Sequence, residues 1–230
     1  MSAFWSATAL LPSGWARDVR FTVADGLIAA IETDRPAEPA DEVHQITLPG
    51  LANVHSHAFQ RGMAGLAEHR SAGSDDDFWS WREVMYRFLD RLTPDDMEAI
   101  AAMAYAEMLE TGYTHVGEFH YLHNDPAGRP YADPAEMARR IAAAAHATGI
   151  GLTLLPVFYA HSNFGGTAPS HGQRRFIHDL DGFAHLTEAC RSLLSEGDQL
   201  GIAPHSLRAV TPGELDALIA MHPAGPIHIH

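Results

Sequence analysis

Leu48-Pro49-Gly50-Leu51-Ala52-Asn53-Val54-His55-Ser56-His57 reads as a turn, a short apolar strand and two histidines at the strand's C-terminal end. Pro49-Gly50 breaks the chain, and residues 51–54 suit a buried strand. Alternate strand residues point to one side, so the spacing predicts that His55 and His57 face the same space, where two nitrogens can share one ion. Imidazole suits Zn²⁺, Fe²⁺ or Ni²⁺. In a parallel α/β fold the C-terminal strand ends are where active sites form. Taken alone, the pair is equally compatible with surface or capping histidines.

Downstream of this stretch, strand signals alternate with helix signals. Thr93-Pro94-Asp95-Asp96 places a capping hydroxyl before a proline, with acids in the first turn. Met97, Ile100, Ala101, Ala104, Tyr105 and Met108 then recur at helical spacing until Gly112. Asp133-Pro134-Ala135-Glu136 reads as a capping box for a helix running to Gly149. Further helices are expected around 182–195 and after Thr211-Pro212-Gly213-Glu214. Strands are expected near 51–54, 114–118, 152–158, 200–203 and 226–230. Such alternation implies parallel strands and an α/β fold. A doubly wound sheet and a (β/α)₈ barrel both fit it. No G-x-G-x-x-G follows the first strand, which argues against dinucleotide binding.

Upstream, the first 48 residues have a different character. Residues 18–33 read as a hairpin about Asp25-Gly26, residues 36–42 as a loop and residues 44–48 as a short strand. This small β unit is expected to pack on the segment after residue 48. At the other end, the chain stops at His230 inside an apolar strand. That predicts a truncated chain, the alternative being a complete five-stranded open sheet.

The balance of 29 acidic against 15 basic residues, a formal charge of −14, argues against nucleic-acid and anionic-membrane partners. No apolar run approaches the ~20 residues of a membrane span, and the N-terminus lacks the pattern of a secretory signal. Cys190 is the single cysteine, so neither an internal disulfide nor a Cys-rich metal site is possible. These features predict a soluble, cytoplasmic protein. The 16 histidines outnumber the lysines and arginines together. No phosphate loop, G-x-S-x-G elbow or His-Glu-x-x-His helix competes for the chemistry. His115, His120, His123, His161, His171, His178 and His185 share no ligand spacing and read mostly as loop, surface or packing residues. Asn163-Phe164-Gly165-Gly166-Thr167 is either a lid or a solvated connection.

A second pair, Ile227-His228-Ile229-His230, repeats the strand-borne pattern, and one ring can ligate while the other packs or bonds beneath it. With this pair in place, Leu48 to Gln60 resembles the first-strand signature of the amidohydrolase superfamily. Within that superfamily the longer pattern resembles the formimidoylglutamate deiminases. The supporting runs are His57-Ala58-Phe59-Gln60-Arg61-Gly62, Asp77-Phe78-Trp79-Ser80-Trp81-Arg82, Gly117-Glu118-Phe119-His120-Tyr121, Ala203-Pro204-His205-Ser206-Leu207-Arg208 and Pro226 to His230. The His-x-His element belongs to the whole superfamily, whereas the Trp-Arg run and Pro-His-Ser-Leu-Arg are more diagnostic.

The resemblance implies a metal-dependent hydrolase (β/α)₈ (TIM-like) barrel, here cut after the fifth strand, with residues 1–48 part of a small composite β-sandwich and residues 49–230 the first five β/α units. It implies His55, His57 and His230 as metal ligands, with His228 an inward neighbour. One divalent metal, zinc, is implied, with iron or nickel also compatible. Gln60, Arg82, Tyr121, His205 and Arg208 match substrate-binding positions, and the two arginines suit a small substrate with two carboxylates. The implied reaction is deimination of N-formimino-L-glutamate to N-formyl-L-glutamate and ammonia, in histidine degradation. The family's catalytic glutamate is expected three residues after His230, outside this sequence, so the chain is expected to be inactive by itself. The full-length protein could form a homodimer. Rival readings are a guanine, cytosine or triazine deaminase of the same superfamily, and a non-catalytic fragment.

Overall fold

Strand and helix signals that alternate after Pro49-Gly50 become a parallel sheet with its connecting helices. The computed structural model describes residues 2–66, 77–221 and 224–230. The chain divides into two compact units, Met1–Gly50 and Leu51–His230.

In the first unit, β1 (Ser2–Leu11), β2 (Gly14–Ala24), β3 (Leu27–Glu32) and β4 (Glu42–Thr47) form one four-stranded sheet in the order β3-β2-β1-β4. The β2–β3 hairpin turns at Asp25-Gly26, both with positive φ (52° and 77°), the geometry that matches strand twist. Ala9, Val19 and Phe21 make its small buried core, and Phe4 stacks on Phe21 at 4.5 Å. Arg20 closes the 36–41 loop by donating from Nε and Nη2 to the Asp41 carboxylate.

In the second unit, β5 (Leu51–Ser56), β6 (Tyr113–His120), β7 (Gly151–Phe158) and β8 (Gln199–Leu200) lie side by side, all parallel, and β9 (Ala203–Pro204) pairs with β7 further along. Its helices are α1 (Phe78–Leu89), α2 (Pro94–Glu110), α3 (Glu136–Thr148), α4 (Leu180–Arg191) and α5 (Pro212–Met221). Thr93 and Asp96 cap α2 reciprocally, as their spacing requires. Met97, Ala101, Ala104 and Tyr105 of α2 face a core shared with Phe119, Leu152, Leu154 and Phe158 of the strands.

The described strands of this unit form an open parallel sheet. Three expectations need correction. The stretch near 200–203 is two short strands, interrupted where Gly201 passes so close to Leu155 and Pro226 that a side chain would collide. Residues 226–230 do not form a continuous strand. They run parallel to residues 202–205 through one bridge, Ile202 to Ile227, and three backbone hydrogen bonds, the last from His230 N to His205 O (3.3 Å). Finally, Glu136 does not close a capping box. Asp133 accepts from Ala135 N (3.0 Å), while Glu136 reaches forward to Arg140; an Asx turn has replaced the box because Pro134 follows the aspartate directly.

Candidate metal centre and adjoining cavity

His55 and His57 meet, though not by simple strand alternation. Asn53 pairs with Val116 and Ser56 with Glu118, so β5 spends three steps where β6 spends two. This is a bulge at Val54-His55. The Asn53 side-chain oxygen accepts the His55 N–H at 3.2 Å, next to the register shift. His57 lies one residue past the strand, where a 3-10 helix (Ala58–Met63) begins. The two rings end edge-to-face with their Nε2 atoms 3.2 Å apart.

His230 completes the set. Ring nitrogens of His55, His57 and His230 all lie within 4.8 Å of one another. The His230 ring stacks on Phe119 at 4.4 Å. The donor chemistry suits a divalent ion such as zinc, because three imidazoles whose pKa values are all lowered favour the neutral form that ligates. His57 is pulled down to about 4 by burial, opposed by its hydrogen bond to the Phe119 carbonyl. His55 and His230 are lowered too, first by burial and then by neighbouring imidazoles.

Next to Ala58 sits Glu118, which belongs to the Gly117–Tyr121 run but to which the sequence assigns no role. Glu118 is 1% exposed, and its Oε1 accepts the Ala58 N–H at 2.7 Å. Burial raises its carboxyl to about 7 against that hydrogen bond. Its neighbour Phe119 takes the His57 Nδ1 proton on its carbonyl (3.0 Å). Consecutive residues of β6 therefore hold both the turn that carries His57 and the ring itself.

A cavity of about 350 Å³ adjoins the imidazoles and is lined by His57 and His230. All five residues read as substrate-binding line it: Gln60, Arg82, Tyr121, His205 and Arg208. Gln60 donates to the Tyr121 hydroxyl (3.1 Å). His205, lowered to about 2 by burial and then by His230, packs its ring 4.3 Å from that of Tyr159. Arg208 Nε is buried without a hydrogen-bond partner among the described residues. Such a donor is costly unless a hydrogen-bond acceptor meets it.

The cavity also has walls that sequence reading missed: Met85, Tyr86, Tyr159, Phe176 and Ser206. Tyr86 sits one helical turn after Arg82 and accepts its Nε–H at 2.5 Å. The i, i+4 spacing was the available signal. The Tyr86 ring lies against Gly172, where any side chain would collide with it. Buried Arg175 anchors this helix from the far end, donating to the carbonyls of Leu89, Leu92 (3.0 Å) and Asn124 (2.9 Å). The Asn163–Thr167 turn lines no part of this cavity.

The model of the amidohydrolase family matches residues 46–230. The chain belongs to the amidohydrolase family. Residues 1–45 match the model of the formimidoylglutamate deiminase HutF N-terminal domain. Among curated amidohydrolase relatives, the chain is 52% identical over its whole length to formimidoylglutamate deiminase of Pseudomonas aeruginosa, covering 51% of that protein. It is 31% identical over 106 residues to 8-oxoguanine deaminase of the same organism, covering 44% of this chain and 23% of that protein. The chain thus spans about half the length, or less, of the curated relatives it matches. A crystal structure of an amidohydrolase from Brucella melitensis is 57% identical, with a TM-score of 0.97 over all of this chain and 52% of that one. An atrazine chlorohydrolase from Arthrobacter aurescens, complexed with zinc and atraton, shares the fold at 16% identity and a TM-score of 0.73, over 100% of this chain and 52% of the other.

Proposed function

We propose that this chain is part of a zinc-dependent deiminase that hydrolyses N-formimino-L-glutamate to N-formyl-L-glutamate and ammonia. The observation that carries this is a cavity with two guanidiniums, Arg82 and Arg208, no carboxylate among its described lining residues, and a three-imidazole cluster at one end. A cavity of that charge suits a ligand with two carboxylates and a hydrolysable end pointing at the imidazoles.

In this reading the open sheet is the first part of a (β/α)₈ barrel, and the four-stranded sheet is one layer of a composite sandwich. His55, His57 and His230 hold the ion, which when bound activates water for addition to an amidine carbon. Arg82, oriented by Tyr86, takes one substrate carboxylate, and Arg208 takes the other. Gln60, Tyr121 and His205 supply hydrogen bonds along the cavity. Water adds to the formimino carbon, the C–N bond to the terminal nitrogen breaks, and ammonia leaves with the transferred protons. A carboxylate acting as general acid and base moves those protons.

The test is ammonia release by the full-length protein from N-formimino-L-glutamate, with guanine and cytosine as competing substrates. Turnover of the linear amidine alone is expected. Arg82→Ala and Arg208→Ala should each raise KM about 10- to 100-fold, the loss of one charge-assisted pair. Unchanged KM in both variants, or preference for a ring substrate, would overturn the assignment.

A further inference from the structure

His228 lies outside the three-imidazole set, yet its Nε2 is 2.9 Å from His55 Nδ1. The rings are stacked, with centroids 5.0 Å apart and planes at 25°. A cation shared by the ε nitrogens of His55 and His57 needs a lone pair from each, which puts the ring proton on each δ nitrogen. That proton then needs an acceptor. For His57 the Phe119 carbonyl provides it. For His55 the structure offers the imidazole of His228.

We infer that His228 is a positioning residue for the metal centre, accepting the Nδ1 proton of His55 and so turning His55 Nε2 toward the ion. The backbone supports this role. His228 N donates to Ile202 O (3.0 Å) and His230 N to His205 O (3.3 Å), so one extended stretch delivers a ligand and, two residues earlier, the orienting partner of another. An acceptor behind a ligating histidine fixes its tautomer and raises its basicity, and its loss commonly weakens metal binding 10- to 100-fold.

The inference rests on the metal-dependent reading above, and zinc affinity by chelator competition on the full-length protein separates the two. His228→Phe should weaken zinc binding about 10- to 100-fold, whereas His228→Gln, whose amide oxygen can accept the same proton, should stay within about threefold. In a His55→Ala background, adding His228→Phe should change affinity little, because the two act through one contact. His228→Leu replaces the phenylalanine variant if that protein does not fold, as judged by circular dichroism. Unchanged affinity in the apolar variant overturns the inference. So does an equal loss in His228→Gln, which would make His228 a ligand, and so does full additivity with His55→Ala. If the unmodified protein binds no zinc, it is the metal-dependent reading that fails.

Discussion

Glu118 illustrates how one buried side chain can tie stability to pH. Its carboxyl is raised from 4.5 to about 7, chiefly by burial. The folded state therefore holds a proton that the unfolded chain releases above its ordinary value. Between pH 4.5 and 7 the folded state binds more protons, so this group lowers stability as pH rises through that window. Glu118→Gln keeps an acceptor for Ala58 N–H and cannot ionise. Its melting temperature should match the parent near pH 4.5 and exceed it increasingly up to pH 7.5, a gain on the order of 3 kcal/mol for a shift of this size. A constant offset at all pH values would show that Glu118 does not titrate in the fold. The same residue explains a gap in sequence reading: a glutamate at a strand end looks like any polar terminus until the strand pairing places it under Ala58.

The pairing of β5 with β6 carries His55 and His57, two of the proposed metal ligands, and a glycine permits it. A methyl group added at Gly117 would lie 2.9 Å from the Val54 carbonyl oxygen, closer than real Cβ contacts occur. The Val54 carbonyl is backbone within the bulge that sets His55, so it cannot move away alone. Gly117→Ala should therefore destabilise the protein by about 1–3 kcal/mol, the usual range for overpacking, and weaken zinc binding in parallel. Thermal melting and chelator competition together check this; a stable variant with unaltered zinc affinity would refute the packing argument. Helix caps at Thr93 and Thr211 and the stop at Gly149 were legible, because capping is local chemistry. The bulge was less so, since it arises from the match between two strands sixty residues apart.

Across the molecule, buried histidines set the acid response. His120 and His123 are 2% exposed and His178 is 8% exposed. Burial lowers all three, His120 to about 3. Below about pH 6.5 the unfolded chain takes up protons that the folded rings refuse, so stability falls as pH drops toward 3. In the Glu118→Gln variant, which lacks the opposing carboxyl titration, urea midpoints should decline steadily across that range, and more shallowly when His120→Phe is added. A midpoint flat from pH 6.5 to 4 would contradict the buried neutral state. Spacing alone marks these histidines as loop, surface or packing residues, and the structure makes all three core. Among the described residues no helix is long and apolar enough to cross a membrane.

Composition, the strand–helix alternation and the two His-x-His runs were enough to point to a parallel α/β chain with an imidazole centre, because periodicity and capping are written in neighbouring residues. Sequence likeness then singled out the five cavity residues. That His55 and His57 turn their ε nitrogens toward each other, what meets their δ nitrogens, and that Tyr86 and Gly172 shape the wall beside Arg82 emerged only in three dimensions. The physical reason is that a hydrogen bond between residues 55 and 228, or a ring resting on a distant glycine, leaves no periodic trace along the chain. Only strand register and close approach of backbones bring such partners together.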